Sequence, residues 1–263
     1  MYAIYNGISS GVRYVPIPFP ARCLPIPNTN GREHITSRFS YLVLLTFPLE
    51  GRSRKRNKMD KINFLPWVGK NYASNNYFGK RIMVLGESHH FDKNDVVNCD
   101  ATTYVVSNTY LNQRKGLYTE YNRSMNTFLK FERALVNRYT TADESCEIWN
   151  SLVFYNYLQE SLDAPRIPVK EILYKEAEIP FLQVINKYQP DKLIVWSDRL
   201  YWHLPEICRN KSTSIVVDGK SHQTSSCLLE SGKVVDVICI MHPAASRFSW
   251  HRLHNAIDTF LNK

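Results

Sequence analysis

Four polar side chains stand together directly behind a glycine: Gly86 is followed by Glu87, Ser88, His89 and His90. A carboxylate, a hydroxyl and two imidazoles supply an anion, a hydroxyl donor and groups that change protonation near neutral pH. Two other strings carry complementary groups. Asn156 offers an amide with both a donor and an acceptor, and His242 offers a further imidazole, followed by Pro243 with Ser246 beyond. Each residue also has a plainer reading. An Asn behind a strand is commonly a turn residue, His-Pro is often only a turn, adjacent histidines often mark a solvated corner, and a Glu can cap a following helix. It is their shared position in the chain that raises them above those readings.

Residues 82–85 are a continuous apolar run, which suits a strand buried on both faces, and Gly86 at its end permits a tight turn and a close approach to a ligand. Three more such runs follow: SLVFY before Asn156, KLIVW at 192–196, and VDVICIM before His242. Between them lie helical patterns. Residues 123–137 place Met125, Phe128, Leu129 and Leu135 at helical spacing, a shorter helix falls near 143–149, and another spans 176–188, with Pro180 acceptable only in its first turn. A short helix follows at 199–204, and 247–261 closes the chain with Leu253, Ala256, Ile257, Phe260 and Leu261 on one face. Residues 91–122 read as a long polar connection, a lid or an insertion. Residues 214–217 and 232–234 pair as a small hairpin. This alternation predicts an α/β fold, three-layer α/β/α, with a mainly parallel four-stranded sheet in the order 2-1-3-4. All C-terminal strand ends of a parallel sheet share one edge, so topology would gather Glu87, Asn156 and His242 there.

Composition bounds the partners. The 263 residues carry a formal charge of +9, but residues 1–58 hold nine Lys/Arg against two Glu and so account for +7. The remainder, at +2, is close to neutral, so any nucleic-acid footprint is a local patch. Residues 1–58 also hold six of the thirteen prolines and end in GRSRKRNK. They read as a disordered tail, or as an extension upstream of a natural start at Met59, leaving residues 59–263 as a single domain. The six cysteines, Cys23, Cys99, Cys146, Cys208, Cys227 and Cys239, form no C-x-x-C pair, which argues against a zinc ribbon or iron–sulfur cluster and for reduced thiols in the cytoplasm. The apolar stretch 41–49 is too short to span a membrane.

With these residues in view, the chain resembles the uracil-DNA glycosylase superfamily from Met59 onward. LGESHH stands where that superfamily has its first motif, FYNYLQ where members place an asparagine after the second strand, IVWSDRLYWHLP at the third strand and its helix, and MHPAAS at the His-Pro-Ser turn. The resemblance implies a hydrolase acting as a monomer on DNA or a nucleotide-like substrate, with no metal or other cofactor. It implies that Glu87 positions water or stabilises the sugar cation, His242 stabilises the departing base, and Asn156 reads the base edge. Gly86, Ser88, His89, His90 and Phe91 line the base, and the turn from Pro243 to Ser246 meets phosphate. Ser88 occupies the position of the usual water-activating acid, His89 and His90 replace a proline and an aromatic, and Ala244 and Ala245 alter the last motif. Two other classes fit the same residues: a Glu/His hydrolase of the Gly-Glu-x-x-His type, and a non-catalytic nucleic-acid-binding module.

Overall fold

The computed structural model describes residues 62–90, 98–118, 121–162 and 167–263; the expectations for residues 1–58 and for Phe91 lie outside the described residues. In chain order the elements are β1 (Trp67–Val68), β2 (Ile82–Gly86), α1 (Ala101–Thr103), a π-helical stretch (Tyr104–Leu111), α2 (Asn112–Arg114), α3 (Asn126–Val136), α4 (Ala142–Asn150), β3 (Leu152–Asn156) and α5 (Glu171–Tyr188). They continue with β4 (Lys192–Trp196), α6 (Asp198–Trp202), a 3-10 turn (Glu206–Cys208), β5 (Asn210–Val217), β6 (Lys220–Leu228), β7 (Val234–Ile240) and α7 (Trp250–Leu261).

The strands form one seven-stranded mixed sheet in the order β1-β3-β2-β4-β7-β6-β5. This corrects the expected four-stranded, mainly parallel sheet. β3, β2, β4 and β7 pair in parallel, while β1 on β3, β6 on β7 and β5 on β6 are antiparallel. The missed strands lack the signal that marks the others. β5 and β6 read NKSTSIVV and KSHQTSSCL; the apolar end of β5 falls within the expected 214–217 strand, but its first five residues are exposed and β6 is mostly polar, so no apolar run announces the rest. What joins them is a turn: Asp218 and Gly219 both take positive φ, 49° and 72°, the two left-handed residues of a type I′ hairpin. The expected partner of 214–217, residues 232–234, is replaced by β6, and Val234 opens β7.

The strands β2, β3 and β4 are buried at every position, and successive side chains feed opposite faces. Met83, Leu85, Val153, Tyr155, Leu193 and Val195 join Tyr174, Phe181 and Ile185 of α5 in one core. Ile82, Val84, Phe154, Ile194 and Trp196 join Phe128 and Phe131 of α3, Trp149 of α4 and Ile257 of α7 in the other. Helices thus cover both faces, and the polar edges of the sheet are left to carry function.

Three further expectations are corrected. Residues 101–114 are helical rather than a polar connection, because Ala101, Val106, Tyr110 and Leu111 are buried against the sheet. α5 begins at Glu171, so Pro180 sits inside it and not in its first turn; Lys170 supplies no side-chain cap, and the start carries no sequence signal. Cys208 and Cys227 are joined as a disulfide, where free thiols were expected; the pairing spans 19 residues and arises because β6 returns beside the 3-10 turn.

Candidate functional site

Register brings the polar strings together. Gly86 lies beside Asn156, Leu85 beside Val195, and Trp196 beside Ile240, so the residues that follow β2, β3, β4 and β7 leave the sheet at one edge. Those residues are Glu87 to His90, Asn156, Ser197 with Arg199, and His242.

Glu87 is clamped. Its Oε1 accepts from the Tyr174 hydroxyl at 2.6 Å and from Arg199 Nε at 2.7 Å, and its Oε2 accepts from Arg199 Nη2. The Glu87 side chain keeps only 11% of its surface exposed, against 43% for Arg199. Burial, reinforced by the neighbouring Glu87 anion, pushes the Tyr174 hydroxyl pKa up, so it stays a phenol that donates. The Tyr174 ring stacks on His203 with centroids 3.8 Å apart, and His203 in turn lies 2.6 Å from the Arg199 carbonyl and 3.1 Å from Glu171. These contacts fix the carboxylate in place and orientation.

Arg199 reaches this position because of the residue that starts its helix. Ser197 sits at φ 95°, ψ 144°, a region that L-residues rarely adopt, with its N–H on the Ile240 carbonyl and its side chain accepting from Leu200 N at 3.4 Å. A strained residue at the functional edge of a sheet, turning the chain sharply from β4 into α6, is the kind of backbone cost that surrounding structure must sustain.

His242 is half-buried with its ring edge toward Trp196, centroids 5.6 Å apart. Its Nδ1 accepts the Ala244 backbone N–H at 3.1 Å, which leaves Nε2 as the protonated nitrogen of the neutral ring. Burial lowers its pKa, with the charge of Arg199 and His90 acting in the same direction and Glu87 opposing them. The result is a neutral imidazole whose Nε2–H is its donor. Glu87, His90, Arg199 and His242 are therefore close enough to feel one another's charge. His90 is exposed at one side, yet flanking atoms desolvate its ring enough to lower its pKa against the pull of the Leu162 backbone and Glu87. Ser88 Oγ lies 3.5 Å from His90 Nε2, at the outer limit of a hydrogen bond.

Asn156 and His89 form a second, drier group behind Gly86. His89 is 4% exposed, its Nε2 is 2.9 Å from Thr102 Oγ1, and Asn156 Nδ2 lies 3.3 Å from its Nδ1 and 3.2 Å from its Nε2. Burial, with help from His90, pushes its pKa down to about 4. Pro243 is buried in the turn after β7, whose Ala245 N–H bonds the His242 carbonyl. Ser246 is exposed and makes no hydrogen bond to the Glu87 group among the described residues.

Sequence reasoning missed Arg199, Tyr174, His203 and Thr102. Arg199 had a legible signal, since SDR directly follows a core strand as ESHH does. Tyr174 and Thr102 had none, because they arrive from helices whose docking on the sheet is a tertiary fact. Among the described residues no group of three or more His, Cys, Asp or Glu is placed to hold a metal ion, and no helix is long and apolar enough to cross a membrane. No family model matches the chain, and no curated protein matches its sequence.

Proposed function

We propose that the chain is a base-excising hydrolase that cleaves the N-glycosidic bond of uracil or another modified base in DNA. The observation that carries this reading is His242, whose Nδ1 is held by the Ala244 N–H so that a neutral Nε2–H donor stands in the same group as the Glu87 carboxylate. Breaking an N-glycosidic bond builds positive charge on the sugar and negative charge on the leaving base. A fixed anion stabilises the first and a preorganised donor the second, and neither group has to transfer a proton to do so. The Arg199 and Tyr174 bonds to Glu87 make it a positioned anion rather than a free acid–base group, which also counts against the Gly-Glu-x-x-His hydrolase reading. The resemblance of LGESHH, FYNYLQ and MHPAAS to the uracil-DNA glycosylase motifs supports the same chemistry.

The test is incubation with oligonucleotides carrying uracil, hypoxanthine, xanthine or alkylated bases, followed by alkaline cleavage at abasic sites. His242→Ala is expected to lower the rate by on the order of 10²–10³, as for loss of one oxyanion donor. If no base is released from any substrate, the reading is wrong.

A further inference from the structure

Where α3 ends beside the start of α7, two aromatic rings and two unpaired arginines come together outside the Glu87 group. Trp250 is the first residue of α7, and α7 packs along α3, with His254 Nδ1 3.0 Å from the Ala134 carbonyl. The loop that leaves α3 therefore meets the start of α7. There the Trp250 and Tyr139 rings cross at 76° with centroids 5.7 Å apart, and His251 stacks on Trp250. The Arg133 guanidinium lies 4.5 Å from the centre of the Tyr139 ring. Tyr139 nonetheless keeps 71% of its surface exposed, so Arg133 covers one face and the other stays open.

The surroundings are cationic. Among the described residues neither Arg133 nor Arg247 is paired with a carboxylate, and Arg247 is exposed in the turn before α7. Arg138, beside Tyr139, is the arginine whose charge is matched, by Glu144 at 2.5 Å. Exposed residues 137–139 and 251–252 include no aliphatic side chain, so the surface offers an apolar protein partner little to bury. An open aromatic face takes an unstacked base, and a free guanidinium takes a phosphate. We infer that this surface is a docking site for single-stranded nucleic acid, with a base on the open face of Tyr139 and phosphates at Arg133 and Arg247. Residues 59–263 carry only +2, and a patch of this kind is how so nearly neutral a domain holds a polyanion. The inference goes beyond base excision and does not rest on it, because the surface needs no modified base.

The full chain is titrated against a fluorescent oligothymidylate of about 12 nucleotides, and against the duplex of the same strand, by anisotropy between about 50 and 200 mM salt. A duplex keeps its bases in its own stack and offers phosphates alone, so the single strand is expected to bind on the order of 10-fold more tightly. Tyr139→Ala is expected to weaken the single strand by on the order of 10-fold and leave the salt slope unchanged, while Tyr139→Phe keeps the affinity. Arg247→Gln is expected to lower the slope by about 0.7, a change that a merely structural loss would not produce. This exposed, unpaired position also keeps the inference testable if Tyr139→Ala does not fold. A duplex bound as tightly as the single strand, or wild-type binding in Tyr139→Ala, overturns the inference. Displacement of the strand by polyglutamate, with Tyr139→Ala weakening both ligands alike, overturns it in favour of an acidic protein partner. Base release is scored separately on strands carrying modified bases, so failure of either reading leaves the other standing.

Discussion

Glu132 in α3 and Glu87 behind β2 each accept a tyrosine hydroxyl and lie against an arginine, yet they sit in opposite kinds of surroundings. Glu132 is fully buried and accepts from Tyr110 at 2.5 Å, Ser145 at 2.8 Å, Trp149 Nε1 at 3.1 Å and Thr140, with Arg114 Nε 3.9 Å away. All of those donors belong to one run of chain between the π-helical stretch and α4. They knot that helical layer together and leave the carboxylate no open face. Glu87 takes its partners from α5 and α6, far along the chain, and shares its surroundings with the half-buried His242 and the exposed His90. A carboxylate whose oxygens are all taken by buried donors is structural; one fixed beside neutral imidazoles at a sheet edge has chemistry left to do.

The largest effect should fall on the structural carboxylate. Glu132→Leu leaves Tyr110, Thr140 and Trp149 without their acceptor and removes the carboxylate facing Arg114, which keeps its bonds to Ser145 and Thr140; it is expected to cost about 3–5 kcal/mol in urea unfolding, with base release per folded molecule unchanged. A cost below about 1 kcal/mol would mean the helical layer does not depend on this knot.

Acid should next discriminate the regions through His89. Its folded pKa of about 4 lies below the ordinary 6.5, so the folded state binds fewer protons. Its contribution is complete above the unfolded value and is lost as pH falls toward 4, on the order of 3 kcal/mol across that window. Denaturant titrations from pH 7 down to 4 should show this slope in the wild type and a flatter one in His89→Phe. Parallel profiles would show that the imidazole is not buried neutral.

Glu87→Gln should reverse the pattern seen at Glu132. Stability is expected to change by less than about 1 kcal/mol, because Arg199 remains solvated, while base release falls on the order of 10²-fold. Equal losses of stability and rate would erase the distinction between the two carboxylates. The smallest effect belongs to Ser197→Gly, which relieves the left-handed backbone for the loss of one long hydrogen bond. Relief of about 1 kcal/mol should raise the melting temperature by a few degrees, and a lower melting temperature would show that the serine cap outweighs the strain.

The chemistry at the sheet edge was partly legible because the strands that deliver it are apolar on both faces. Runs such as IMVLG and KLIVW can be nothing but core, and polar residues directly behind them are displaced to an edge. Arg199 was legible on the same ground and was passed over. The antiparallel half of the sheet was not legible from hydrophobicity, since β5 exposes most of its face and β6 is largely Ser, Thr, Lys and His. Its local markers were the short apolar run at 215–217 and the Asp218-Gly219 turn.

What the amino-acid order determined by itself is therefore local: where buried strands begin and end, which residues follow them, and which glycine lets the chain turn. Tertiary structure decided the rest. Whether Glu87 is a free base or a clamped anion depends on Tyr174 and Arg199 arriving from two helices, and whether Asn156 meets a buried imidazole depends on His89 folding back beside it. Charge and hydrogen bonding act over a few ångströms of space, and residues separated by 87 or 112 positions come within that range only when the sheet has closed around them.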